Sequence, residues 1–138
     1  MDSDISILLE APSAEEFITL RETANWKSPS LVHVTQSIQN SLFHVTIRTG
    51  KDLIAMARIV GDGVMYFYIQ DVVVSPNHRQ KGLGSILMQE IERYLEQNAP
   101  SNATVGLLAA TGKESFYERY GYVIRPTEAL GHGMCKFT

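Results

Sequence analysis

The run Asp71-Val72-Val73-Val74-Ser75-Pro76-Asn77-His78-Arg79-Gln80-Lys81-Gly82-Leu83-Gly84-Ser85 reads as a strand, a turn and the entrance of a helix. The three β-branched valines favour an extended chain. Ser75-Pro76-Asn77 stops the strand. From Leu83 onward Ile86, Leu87, Ile91, Tyr94 and Leu95 fall on one helical face and Gln89, Glu90, Glu92, Arg93 and Glu96 on the other, to about Gln97. Gly82 and Gly84 remove side chains where a ligand approaches the backbone. The first turn offers unpaired N–H groups at the positive end of the helix dipole. Such an entrance suits a phosphate or pyrophosphate; Arg79 and Lys81 add cationic charge and Ser85 a hydroxyl.

Taken alone, Gly82-Leu83-Gly84 also fits a tight turn. Spacing excludes two nucleotide sites. The dinucleotide fingerprint needs a small residue three positions after its second glycine, where this chain has Leu87, and no Gly-Lys-Ser/Thr closes a phosphate loop.

Outward from this segment, Ile5 to Leu9 reads as a strand. Ser13 and Glu16 stand at capping-box spacing before a helix to about Thr23, with Phe17, Ile18 and Leu20 on its apolar face. Leu31, Val34, Ile38 and Leu42 recur at helical spacing after a loop holding Trp26. Phe43 to Arg48, Leu53 to Val60 and Val64 to Val74, separated by Gly50-Lys51-Asp52 and Gly61-Asp62-Gly63, predict an antiparallel meander. Thr104 to Leu108 predicts a strand, Lys113 to Tyr120 a short helix, and Tyr122 to Ile124 and Met134 to Phe137 two last strands. The expected order is βααβββαβαββ, an α/β (α+β) fold with a mixed central sheet flanked by helices. Without repeats or long linkers, residues 1–138 are expected to form a single domain.

Composition narrows the function classes. The 138 residues are 44% hydrophobic and 20% charged with a formal charge of −3, a globular composition without the basic stripe of a nucleic-acid binder. One cysteine and four scattered histidines provide no structural metal site, and the acidic start lacks a signal peptide's basic region. No apolar run approaches the ~20 residues a membrane span needs. The expectation is a cytoplasmic protein with no metal, no nucleic-acid partner and no membrane partner.

Arg79-x-x-Gly82-x-Gly84, following Val72-Val73-Val74-x-Pro76, resembles the acetyl-CoA signature of the Gcn5-related N-acetyltransferase (GNAT) family. Phe116-Tyr117-Glu118-Arg119-Tyr120-Gly121-Tyr122 resembles that family's Tyr-x-x-x-Gly-Phe/Tyr segment, and the element order agrees over essentially the whole chain. One departure is Ala110, where many members carry an asparagine that helps hold the pantetheine arm.

The resemblance implies an acetyl-CoA-dependent N-acetyltransferase acting on a primary amine, with small-molecule amines favoured by Gln70-Asp71 and Phe116-Tyr117. It implies coenzyme binding by Val72, Val73, Val74, Arg79, Gln80, Lys81, Gly82, Leu83, Gly84, Ser85 and Phe116. Backbone N–H groups of the valine strand would meet the pantetheine amides and the thioester carbonyl, and Tyr117 would be the general acid for the departing thiolate. Asp71, the carboxylate nearest the motif, is read either as base or water-positioning group or as a hydrogen-bonded carboxylate at a strand bulge. Gln70, Tyr66 and Tyr68 equally offer to position a water. Trp26 and His132 are nominated for the acceptor pocket, and Cys135 is expected to be packed in the last strand. Members of the family often pair as homodimers. Two alternatives stand beside the enzyme of small amines: an acyl-CoA-binding sensor without turnover, and a protein lysine or N-terminal acetyltransferase.

Overall fold

A computed structural model describes residues 4–138, in two compact units divided between Val105 and Gly106. The first contains β1 (Ile5–Leu8), α1 (Ala14–Glu22), α2 (Leu31–Gln39), β2 (Phe43–Thr49), β3 (Asp52–Gly61), β4 (Tyr66–Val74), a 3₁₀ turn (Pro76–His78) and α3 (Leu83–Asn98). β5 (Thr104–Leu107) spans the division, and α4 (Glu114–Glu118) lies in the second unit.

The meander forms as the turn signals predict: β1 to β4 pair in succession, each antiparallel to its neighbour. β5 joins beside β4 after the α3 crossover, completing a mixed sheet in the order β1-β2-β3-β4-β5. Ile54 to Ile59 in β3 are all buried, which in a strand requires cover on both faces. α1 and α2 supply one cover: Phe17, Leu20, Val34 and Ile38 pack with Met56 and Val73. α3 packs against β2, β3 and β4, burying Leu83, Leu87, Met88, Ile91 and Leu95, and Tyr94 stacks on Phe43 at 4.7 Å.

Helix starts follow local chemistry. Ser13 Oγ accepts from Glu16 N at 3.1 Å and Ser13 N donates to Glu16 Oε1 at 3.0 Å, closing the predicted capping box. Ser30 caps α2 through its hydroxyl. β3 and β4 meet with a bulge: Met56 pairs with Val73 and Arg58 with Gln70, so β4 carries one extra residue. Asp71 sits there at φ 58°, a left-handed position that an aspartate tolerates better than a β-branched residue.

The second unit departs from expectation. The strands predicted at 122–124 and 134–137 do not form, so the order is βααβββαβα among the described residues. Pro126 contributes no N–H to a ladder, and residues 123–138 are exposed, leaving little apolar burial to offset the entropy of ordering them. Cys135, expected to be packed, is likewise exposed.

Candidate active site

The loop between β4 and α3 is anchored at both ends. Ser75 N donates to the Ile54 carbonyl at 2.7 Å, and Arg79 Nε donates to the Val74 carbonyl at 3.2 Å, directing an otherwise exposed arginine from the end of the valine strand. Gln80 (φ 63°) and Gly82 (φ 80°) are both left-handed and turn the chain into the helix. No side chain caps α3, so its first amides face outward, with Lys81 exposed just before them. A Cβ built on Gly82 meets nothing within 4 Å, so the space before the helix is open. Uncapped amides, the dipole's positive end and two exposed cations fit the phosphates of a coenzyme.

Along β4, Tyr66 is exposed and Tyr68, Gln70, Val72 and Val74 are half-buried, while Val73 is buried under α1 and α2. β5 has four residues against nine in β4, and Thr104 N bonds the Met65 carbonyl at the near end. At about 3.3 Å per residue, four residues fall well short of Val72–Val74, so the far edge of β4 extends beyond β5.

Asp71 has the surroundings of the second of its two readings, a hydrogen-bonded carboxylate at a strand bulge. Its side chain is 1% exposed; Oδ2 accepts from Arg58 Nε at 2.9 Å and Oδ1 from Arg21 Nη1. Gln70 Nε2 also approaches Oδ1, at 3.5 Å. A base must take a proton, and protonating this carboxylate would leave two partly buried guanidiniums without their counter-charge. Asp71 is an organising carboxylate at the bulge. Sequence reading missed both arginines, although Arg58 inside the apolar run Leu53–Val60 was a signal: a charge in a buried strand needs a buried partner.

Trp26 lines a cavity of about 470 Å³ with Ile18, Glu22, Asn25, Lys27, Ser28 and Pro29, formed by the end of α1 and the loop that follows. Glu22, Asn25, Lys27 and Pro29 are exposed, so it is an open surface depression rather than an enclosed pocket.

In the second unit Phe116, Tyr117 and Tyr120 cluster edge to face, with centroids 5.0 Å apart for Phe116–Tyr117 and 5.7 Å for Phe116–Tyr120. The Arg119 guanidinium lies 5.1 Å from the Phe116 ring. Burial pushes the Tyr117 phenol up from its ordinary range, so it stays protonated at neutral pH. His132 is exposed in the irregular tail.

Residues 9–137 match the sequence model of the acetyltransferase (GNAT) domain. The chain is 30% identical over 115 residues to the uncharacterized N-acetyltransferase ycf52-like of Prochlorococcus marinus, covering 80% of this chain and 63% of that protein. It is 28% identical over 120 residues to the uncharacterized N-acetyltransferase ycf52 of Pyropia yezoensis, covering 84% and 68%. The match thus spans about two thirds of these relatives. A probable acetyltransferase of unknown function from meticillin-resistant Staphylococcus aureus superposes with TM-score 0.88 at 27% identity, over 97% of this chain and 99% of that one.

Proposed function

Because the chain belongs to the GNAT acetyltransferase family, we propose that it transfers an acetyl group from acetyl-CoA to the primary amine of a small molecule. The observation that carries this reading is the uncapped, left-handed entrance of α3 after an arginine tied to the end of the valine strand. The family's sequence model runs through both compact units, which supports reading residues 1–138 as one N-acetyltransferase domain.

Acetyl-CoA supplies an activated thioester. The chain's part is binding, charge stabilisation and proton movement. Leu83, Gly84 and Ser85 amides with Arg79, Gln80 and Lys81 hold the phosphates, and Phe116 contributes to coenzyme binding. Backbone N–H groups of Val72 and Val74, which point away from β3, stabilise charge developing on the carbonyl oxygen, an effect worth about 3 kcal/mol per donor because fixed donors need no reorganisation; the Val73 N–H faces β3, as that of Ser75 does. Tyr117 hydrogen-bonds the departing thiolate. Its raised pKa makes complete proton transfer to a thiolate of pKa ~8.5 more uphill, so hydrogen bonding is the larger part of its role.

An amine of pKa ~10 arrives mostly protonated. With Asp71 committed to two arginines, the ammonium proton leaves through water positioned by Gln70, Tyr66 or Tyr68. The net charge of −3 suits a cationic amine, and the open depression beside Trp26 is a place for it to bind.

The test is coenzyme A release across aminosugars, polyamines, arylalkylamines, amino acids and peptides, paired with calorimetric acetyl-CoA binding. Turnover on a small amine is expected. Turnover on peptides alone would make this a protein acetyltransferase, binding without turnover would make it a sensor, and absence of binding would overturn the reading.

A further inference from the structure

Arg21 lies beneath the cavity wall rather than in it, and its contacts run in every direction the wall requires. Its Nε donates to Ser28 Oγ at 2.9 Å and its Nη2 to the Lys27 carbonyl at 2.6 Å. Its guanidinium lies 5.6 Å from the Trp26 ring centroid and 5.7 Å from that of Phe17. Its own carbonyl accepts from Trp26 N at 3.2 Å and Ala24 N at 3.0 Å. Three consecutive lining residues, Trp26, Lys27 and Ser28, therefore rest on one arginine.

The same guanidinium reaches Asp71 through Nη1. Asp71 immediately precedes Val72, and its other oxygen holds Arg58, whose Nη1 donates to the Ser37 carbonyl and hydroxyl, both at 3.1 Å, and to Ser41 Oγ at 3.0 Å. One buried carboxylate thus ties the cavity loop, the end of α2 and the bulge of β4 together. A planar guanidinium with several fixed donors makes such a junction; a lysine ammonium cannot reproduce the fork.

We infer that Arg21 is a positioning residue for the acceptor amine: docked on Asp71, it holds the Trp26–Ser28 wall in register with the bulged strand and so sets amine affinity without touching amine or coenzyme. This rests on the proposed acetyl transfer with the cavity as acceptor site. Loss of Arg21 should loosen the wall, raising the KM for amine, and leave the loop before α3 unchanged.

Arg21→Met, Arg21→Lys and Ser28→Ala in the full chain test this, with the best amine of the panel. Arg21→Met is expected to raise amine KM at least tenfold and Ser28→Ala two- to threefold, with the calorimetric Kd for acetyl-CoA within twofold of the parent. Arg21→Lys should recover thermal stability through its charge beside Asp71 but not amine KM. Trp26 is the single tryptophan, so acrylamide quenching of its fluorescence reads wall order without any turnover. Quenching should rise in both Arg21 variants. Parallel increases in amine KM and coenzyme Kd, or quenching and amine KM unchanged in folded Arg21→Met and Ser28→Ala, would overturn the inference. If the parent protein acetylates no amine, the proposed function fails on that result, while unchanged quenching would separately remove the positioning role.

Discussion

Arg58 Nε donates to Asp71 Oδ2 at 2.9 Å across the bulge between β3 and β4, with 10% and 1% of the two side chains exposed. Neither charge is solvated enough to stand alone, so the pair is held by geometry and by the second guanidinium, that of Arg21. Replacing Asp71 with Ala strands two cations. Urea unfolding should show a loss of about 3–5 kcal/mol, the scale for breaking a buried pair.

Two glycines separate stability from binding. A Cβ on Gly61 would lie 2.1 Å from the Tyr66 carbonyl oxygen, a backbone atom that cannot rotate away, so Gly61→Ala should lower the melting temperature sharply. Gly82 has open space around it and a φ of 80°. Gly82→Ala should cost only the left-handed strain of about 1–2 kcal/mol, while calorimetry should show acetyl-CoA binding weakened about tenfold, the equivalent of ~1.4 kcal/mol. Amine KM should hold.

Tyr117→Phe keeps the aromatic cluster with Phe116 and removes the hydroxyl. We expect kcat to fall at least tenfold, about 1.4 kcal/mol of transition-state stabilisation, with the acetyl-CoA Kd unchanged. Because burial raises the Tyr117 pKa, ionisation of this phenol should not limit activity until above pH ~10. Unchanged steady-state kcat in the variant would remove Tyr117 from the mechanism.

Acid should destabilise the fold in two stages. His44 is partly buried, donates from Nε2 to the Ile38 carbonyl at 3.1 Å, and has a pKa lowered first by desolvation. The unfolded chain therefore binds its proton more readily, and stability declines as pH falls below about 6.5. Glu16, held to about 2 chiefly by the Arg48 side chain, adds stability present above its unfolded value of 4.5 and lost as pH falls from there toward about 2. Arg48 grips both Glu16 oxygens, at 2.7 and 2.8 Å, but the pair is partly solvated, so a contribution of about 1 kcal/mol is expected. Unfolding followed against pH should lose the first stage in His44→Gln and weaken the second in Glu16→Gln.

Local elements are legible in the chain as written. Capping at Ser13, alternation through the meander, the glycine turns and the amphipathic face of α3 are interactions among residues close in the chain, so their pattern is visible in one dimension. The loop from Arg79 to Ser85 was legible for the same reason: a helix entrance is built from consecutive amides. Contacts between residues far apart in the chain leave no such local pattern. Asp71 admitted two readings, a base or a hydrogen-bonded carboxylate at a bulge, until Arg21 and Arg58, 50 and 13 positions away, were placed on its two oxygens. The tail shows the converse. Residues 122–124 and 134–137 have the composition of strands, but a strand is stable only when another strand completes its ladder and a covered face buries its side chains, and neither condition is written in the segment itself.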